Sequence, residues 1–412
     1  MDEVGAKGGR NLYFLINSLN KGGAERQVVT LQKSLGGKII LLENSVQYAE
    51  VDLQAVFILN SSSVHSLSGK LVQYFRSLFK LRSIIKGSNT QDKPIIISFL
   101  ERSNTLNLVS SFFFGQIVIL SVRINLDIQY KSAPLFRLFA KCFYRFADAV
   151  STNSEGMRKL LVDQYNIPEK RAVFVPNAYE VTSIQRMSDR PLDYLELENL
   201  ALKSPFLLSV NRLDEQKLIK AQLILYEELK KIKPKVKLLI VGDGPLRDEL
   251  VHYGKALDLK IFNEAEKERP VLTDKYDVYF LGLIANPYRL YKLSKCFILT
   301  SSYESLPNVV IEALICNATI LAADCRFGPR EILTSDINYD INYKHRYGLN
   351  NYGVLLPVPS EMTKANPLWS KYLLDIFDEK IDLSFKLNIV NKTEEYSKEN
   401  VLMKWMTLIK DN

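Results

Sequence analysis

The sequence predicts an α/β protein built as two Rossmann-like domains facing a central cleft, and three observations carry that expectation. The chain has 412 residues, more than one hydrophobic core usually organises. Short apolar runs alternate with segments of helical period, the pattern of a parallel sheet covered on both faces. The alternation pauses in a polar stretch at about 181–204 and then begins again. Hydrophobic residues make up 47% and charged residues 24%, the balance of a globular chain and not of a disordered one.

The first apolar run, NLYFLINS at 11–18, ends in the turn Asn20-Lys21-Gly22-Gly23. AERQVVTLQKSL follows, with Val28, Leu31 and Leu35 on one side at the 3.6-residue period. Strands are predicted at 38–42, 56–58, 94–99, 117–122, 147–152 and 172–175, and a helical segment at about 67–86. The stretch 106–122 is the most apolar. It contains Asn107, Ser110, Ser111, Gly115 and Gln116, so it reads as a helix running into a buried strand and not as a membrane span. Ser154 is placed to cap the helix of GMRKLLVDQY. The region from about 181 to 204 reads as polar and irregular, with no clear sheet element, and marks the domain boundary. Strands then resume at 206–210, 236–241, 276–281, 296–300, 319–323 and 352–356. Helices fall at 221–231, from 288 and at 308–316, and the tail is helical from about 367.

Composition narrows the chemistry. Cys142, Cys296, Cys316 and Cys325 form no CxxC spacing, and His65, His252 and His345 lie far apart. No zinc site is expected, and the cysteines read as reduced structural thiols of a cytoplasmic protein. No two aspartates stand two positions apart, so a D-x-D metal clamp is absent and catalysis without a protein-bound metal or cofactor is expected. MDEVGAKGGR opens with acids and has no apolar h-region, so no signal peptide is expected there. The formal net charge of +8 is uneven. Residues 1–180 hold 22 Lys and Arg against 14 Asp and Glu, and the remainder holds 32 of each. A basic half suits nucleic acid, an anionic membrane surface or a phosphorylated substrate, and equally a merely solvated face.

Four segments carry candidate chemistry. In SSYESLPNVVIEALICNATILAADC, residues 301–325, Glu304 lies in a loop after a strand, where open α/β sheets bind ligands. A helix begins near Pro307-Asn308, and its unpaired N–H groups suit a diphosphate. Glu312 lies one turn further on the same face, among apolar neighbours. Its carboxylate can accept both hydroxyls of a ribose, although an acid near a helix start also has a purely local explanation. In SVNRLDEQK, residues 209–217, Arg212 and Lys217 follow a strand and could clamp a diphosphate. Taken alone they could equally be surface cations. In LNKGGAER, Gly22 and Gly23 permit close backbone approach without the Walker lysine spacing. In VGDGPLRDEL, Gly242 ends a strand at a tight turn into a helix.

Taken in order, Gly-Gly-Ala-Glu-Arg, Arg212 with Lys217, Gly242-Asp-Gly-Pro-Leu and the Glu304/Glu312 pair resemble the family-four retaining glycosyltransferases of GT-B fold. LGLIANPYRLYKLSKCFILTSSYESLPNVVIEAL and DCRFGPREIL resemble bacterial hexose and N-acetylhexosamine transferases that build surface or lipid-linked glycans. The resemblance implies an acceptor-binding domain over 1–182, a nucleotide-sugar donor domain over 183–385, and a segment 386–412 whose helix crosses back to the first domain. It implies that Arg212 and Lys217 bind the donor diphosphate, with backbone N–H groups around Leu306, Pro307, Asn308 and Val309. Glu312 would bind the ribose, Glu304 the donor sugar, Gly22 and Gly23 the donor from the first domain, and Gly242 the nucleotide site. The donor would be a UDP-sugar, and configuration would be retained.

Two departures stand out. Many relatives have a histidine where SVRINLD places Arg123 and Asn125. Arg123 would then be an electrostatic contact and not a base. Asn211 replaces a frequent glycine, and asparagine tolerates the same left-handed backbone. The acceptor is expected to be a glycan or polyprenyl-linked glycan, with no nucleic acid involved. Arg76 and Lys80 beside Phe75 and Phe79 form one basic aromatic helix face. Arg137, Lys141 and Arg145 beside Phe136, Phe139, Phe143 and Tyr144 form another. Such faces suit a peripheral protein on the cytoplasmic side of an inner membrane, and also core packing with a basic rim. Three other functions compete: a nucleotide-sugar epimerase of the same fold, a non-catalytic nucleotide-sugar binder, and a nucleic-acid binder suggested by pI ≈ 9.0 but unsupported by any recognised motif.

Overall fold

The structure, a computed structural model, describes residues 11–20, 22–48, 51–60, 67–87, 92–266, 271–334, 347–359, 364–381 and 389–412. His65 and His345 lie outside them. Two compact units divide the chain. The first comprises Met1–Ala178 with Lys398–Asn412, and the second Tyr179–Ser397. The expected boundaries, 182/183 and 385/386, fall four and twelve residues from these divisions.

Among the described residues, seven strands form the first unit's sheet: β1 (Leu12–Ile16), β2 (Lys38–Glu43), β3 (Val56–Asn60), β4 (Ile95–Phe99), β5 (Ile117–Val122), β6 (Ala149–Thr152) and β7 (Ala172–Phe174). Their order is β3-β2-β1-β4-β5-β6-β7, and every pairing is parallel. Strand β1 shows why the sequence reads as a continuous apolar run. Phe14 and Ile16 face one core, with Val28, Leu31, Ile97 and Phe99. Tyr13 and Leu15 face the other, with Leu78, Leu81 and Leu106. A strand buried on both faces has no polar side to show. The closing helix Lys398–Lys410 belongs to the first unit, where it buries Val401, Trp405 and Leu408.

The second unit's strands are β8 (Phe206–Val210), β9 (Lys237–Val241), β10 (Ile261–Asn263), β11 (Val278–Phe280), β12 (Cys296–Leu299), β13 (Ile320–Ala323), β14 (Gly348–Leu349) and β15 (Val354–Leu356). Their order is β10-β11-β9-β8-β12-β13-β15-β14, with only the edge pair β14–β15 antiparallel among the described strands. The short edge strands β10 and β14 escape the sequence reading because three and two residues carry no readable period. The stretch 181–204 is not irregular. It forms the helices Val181–Asp189 and Leu195–Lys203, which bury Ile184, Leu197, Leu200 and Ala201. Each helix is nine residues long, and its buried apolar face is marked by Ile184 alone in the first and by Leu197, Leu200 and Ala201 in the second.

Both sheets reverse strand order at their first strand. The first strand of each unit has its next strand on one side and a later one on the other: β1 between β2 and β4, and β8 between β9 and β12. Ligands of open α/β sheets bind beyond the carboxyl ends at such a switch point.

Candidate active site

At the switch point of the second sheet, the loops after β8 and β12 are stitched together. The Ser302 N–H donates to the Gln216 carbonyl at 2.8 Å. The Gln216 side-chain amide donates to the Tyr303 carbonyl at 2.6 Å. Thr300 Oγ1 donates to the Lys217 carbonyl at 2.7 Å and accepts from Gln222 Nε2 at 2.9 Å. This lacing places Lys217 and Glu304 side by side, with Lys217 Nζ donating to Glu304 Oε1 at 2.6 Å. The two side chains are only 15% and 9% exposed. A pair this buried is held by mutual need, because removing either partner strands the other's charge. Arg212 differs. It is 72% exposed, with Nε 3.7 Å from Asp214 Oδ2, so its guanidinium remains available to an incoming anion.

The helix Asn308–Ile315 starts directly after this loop at Pro307, and no side chain caps it. Its first-turn N–H groups and dipole offer positive potential at the strand ends. Asn308 Oδ1 accepts from the Tyr179 hydroxyl at 2.6 Å. Leu306 is buried and Val309 partly so. Glu312, one turn further, is buried in the same helix. Burial, with the Glu312 charge next in importance, pushes the Tyr291 phenol well above its ordinary range.

The loop after β13 braces the site from behind. Arg330 grips Asp324 with two hydrogen bonds, of 2.9 and 2.8 Å. Gly328 has φ 86°, and a Cβ there would lie 2.5 Å from Pro307 Cδ and 2.8 Å from the Ser305 carbonyl oxygen. The glycine lets the loop press against the Glu304 segment. Cys325 lies buried here. Its thiol is pushed well up, first by burial and then by Glu304 and Asp324, so it stays a thiol. All four cysteines are free.

Gly242, expected as a nucleotide-site residue, is packed. Its N–H donates to the Gly282 carbonyl at 2.7 Å, and its carbonyl accepts from Arg247 Nη2 at 3.2 Å. A Cβ there would sit 1.8 Å from the Asn211 carbonyl oxygen. It seats the loop after β9 against the loop that carries Arg212.

The remaining candidates belong to the first unit. Gly22 precedes the helix Gly23–Leu35 in extended conformation, and its carbonyl accepts from the Arg26 N–H at 3.0 Å. Glu25 folds over this helix start, where a Cβ on Gly22 would meet Glu25 Oε2 at 2.3 Å. Burial raises the Glu25 carboxyl above its ordinary value, against a lowering backbone hydrogen bond. Arg123 is buried at the end of β5 and donates three ways: to Ser121 Oγ at 2.6 Å, to the Val175 carbonyl at 3.0 Å and to Asn177 Oδ1 at 3.1 Å. Its guanidinium carbon stands 5.4 Å from the Phe99 ring centroid and 5.7 Å from that of Trp405. It thus ties β5, the segment after β7 and the closing helix together, a structural task that the sequence pattern did not reveal. Gln216, Thr300, Gln222, Gly328 and the Asp324–Arg330 pair were also missed as site-forming residues. Of these, Gln216 lay in SVNRLDEQK, Thr300 in LGLIANPYRLYKLSKCFILTSSYESLPNVVIEAL, and Gly328 with the Asp324–Arg330 pair in DCRFGPREIL, all segments already noticed; Gln222 lay outside them.

Comparison with known proteins decides the class. Residues 195–339 match the family model described as glycosyl transferases group 1, a span holding Arg212, Lys217, Gly242, Glu304 and Glu312. The protein is a glycosyltransferase, similar over residues 195–339 to the group 1 enzymes. A Campylobacter jejuni relative, an N-acetylgalactosamine-N,N'-diacetylbacillosaminyl-diphospho-undecaprenol 4-alpha-N-acetylgalactosaminyltransferase, is 26% identical over 401 residues, 95% of this chain and 97% of its own. A glycosyltransferase of Methanocaldococcus jannaschii is 27% identical over 384 residues, 87% of this chain and 89% of its own. Among solved structures, Anabaena HepE in complex with UDP and glucose superposes with a TM-score of 0.70 at 16% identity, covering 98% of this chain and 100% of its own. The glycosyltransferase shares with it the GT-B type of architecture, two parallel-sheet Rossmann-like units.

Proposed function

We propose that this glycosyltransferase moves a hexose or N-acetylhexosamine from a UDP-sugar to a polyprenyl-diphosphate-linked glycan, with retention of configuration. The observation that carries the reading is the buried Lys217–Glu304 pair beside an uncapped helix start at the second sheet's switch point. In this reading Arg212, Lys217 and the backbone N–H groups from Leu306 to Val309 receive the donor diphosphate. They stabilise negative charge as the leaving UDP departs, which is where preorganised donors act most strongly. Glu304 orients Lys217 and accepts hydroxyls of the donor sugar, and Glu312 accepts the ribose diol. Gly242 holds the Arg212 loop in place. Gly22 and Gly23 approach the donor through backbone, and Arg123 supplies fixed positive charge near the end of β5 and no base. Cationic side chains carry the charge that a divalent ion carries elsewhere, so the proposal calls for neither metal nor cofactor.

The names of two relatives support the acceptor class. The first Campylobacter relative is named for a diphospho-undecaprenol acceptor, and a second, 24% identical over 412 residues, is named for a PP-undecaprenol-linked one. No helix among the described residues is long and apolar enough to cross a membrane, which fits a peripheral protein. We place it on the cytoplasmic face of an inner membrane, with no nucleic-acid partner. The test is consumption of a panel of nucleotide sugars by purified protein in EDTA, compared with Glu312→Ala and Lys217→Ala. Consumption of one UDP-sugar, lost in both variants, is expected. Turnover that requires added metal, or that survives both substitutions, would sink the donor-site assignment.

A further inference from the structure

In the first unit, three segments away from the strand-end loops present apolar side chains to solvent. The helix Pro134–Phe143 buries only Ala140. Leu135 is 80% exposed and Leu138 57%, with Phe136 and Phe143 also exposed. The following turn, Tyr144–Phe146, exposes Phe146. At the end of the helix Glu101–Phe114, Phe113 is 73% exposed beside an exposed Phe112. These rings are contiguous. Phe139 stacks on Phe143 at 4.9 Å, Phe143 lies 6.4 Å from Phe146, and Phe146 lies 6.2 Å from Phe112. The helix Leu67–Lys86 packs on Glu101–Phe114 and extends the surface through exposed Phe75 and Phe79, with Arg82 over the Phe114 ring.

A soluble monomer rarely leaves so many large apolar side chains together. The charges around them select the partner. Residues 67–86 hold five Lys and Arg and no acid, and residues 134–146 hold three and no acid. Arg137 is paired with Asp127 at 2.7 Å, while Arg145 rides over Phe146. A two-fold contact between copies would lay this unbalanced positive surface against itself. Aromatic and aliphatic residues flanked by lysine and arginine match instead the headgroup boundary of an anionic bilayer.

We propose that the face formed by Pro134–Phe143, Phe146, Phe112 and Phe113 seats in the interfacial layer of an anionic membrane, with Leu135 and Leu138 as its inserted side chains. The inference deepens the peripheral-membrane reading above and rests on it. It names the docking surface, and it is independent of which sugar is moved. The experiment is co-sedimentation of the full chain with vesicles of phosphatidylglycerol and phosphatidylethanolamine, and separately with phosphatidylcholine alone, at low and high salt. Wild type is expected to bind the anionic vesicles, less so as salt rises. Leu135→Ser/Leu138→Ser should bind about tenfold or more weakly, given what burying two leucines contributes. Leu195→Ser/Leu202→Ser, which alters two similarly exposed leucines of the second unit, should bind like wild type. Failure of wild type to bind, or equal binding by all three proteins, overturns the proposal. So does light scattering that shows a dimer dissociated by the first double variant, since the face would then be a contact between copies. Donor consumption in detergent-free buffer is measured in parallel. A protein that binds vesicles but consumes no donor would retain this inference while the donor-site reading fails.

Discussion

The two units share a reversal of strand order at their first strand and differ in what stands at that point. In the second, the loops after β8 and β12 are tied by backbone and amide hydrogen bonds, and they hold an ion pair, Lys217 with Glu304. In the first, Glu101 follows β4 at the equivalent place. Among the described residues its carboxylate is held by neutral groups alone: the Tyr130 hydroxyl at 3.2 Å, the Tyr144 hydroxyl and Asn104 Nδ2 at 3.3 Å. The fold supplies a place for a ligand, and the loops decide what chemistry occupies it. The second unit sets Lys217 against Glu304 and leaves Arg212 exposed beside them. The first unit turns a buried carboxylate inward and wears its excess positive charge outside.

The comparison breaks most sharply at the ion pair. Lys217→Ala removes a cation from the proposed leaving-group site and leaves Glu304 buried and unpaired. We expect kcat/KM to fall by about 10²–10³, the range seen when one preorganised donor to a developing charge is removed. Steady-state kinetics on whichever nucleotide sugar the panel shows to be consumed checks this. A fall of less than about threefold would detach Lys217 from the reaction.

Glu101 tests the other side. Burial raises its carboxyl to about 7 from 4.5, against the lowering effect of its three hydrogen bonds. The folded state therefore holds the proton more tightly than the unfolded one. Below pH 4.5 both states are protonated and nothing is lost. Between 4.5 and about 7 the unfolded chain ionises first and stability falls, and above that the loss is complete. The total is about 3 kcal/mol. Glu101→Gln removes this dependence, so the variant should gain on wild type as pH rises through that window and be nearly equal to it at pH 4.5. Urea denaturation at several pH values reads the difference. A constant gap would mean that Glu101 does not change protonation there.

The fold was legible because both sheets are buried on both faces: 117–122 and 206–210 were readable to the residue, each an apolar run interrupted by a single serine. Much of the site was legible for a different reason. Glu312 is a charge inside VVIEAL, and Arg212 and Lys217 follow a strand end, so each is conspicuous by position. What could not be read is partnership. Nothing in the spacing of 87 residues announces that Lys217 meets Glu304. Nor does SVRINLD disclose that Arg123 lies against both Phe99 and a tryptophan 282 positions later. Such contacts are made by tertiary packing across elements whose own patterns are already satisfied.

Two glycines reduce the comparison to one methyl group each. Gly242 has φ 129°, and the added Cβ would meet the Asn211 backbone oxygen at 1.8 Å, which no rotamer can relieve. Gly242→Ala should cost about 2–3 kcal/mol of stability, from left-region strain plus displacement of the Arg212 loop. In Gly22 the backbone is extended, and the obstructing atom is the far end of the Glu25 side chain, 2.3 Å away. That carboxylate can swing out, so Gly22→Ala should change stability by less than about 0.5 kcal/mol. Thermal denaturation of the two variants side by side separates glycine kept for backbone packing from glycine kept for room. If Gly22→Ala is stable yet loses donor consumption, the space above the helix start is used by substrate. If it is both stable and fully active, the Gly22-Gly23 turn has no part in donor binding, and the nucleotide sugar is held without it.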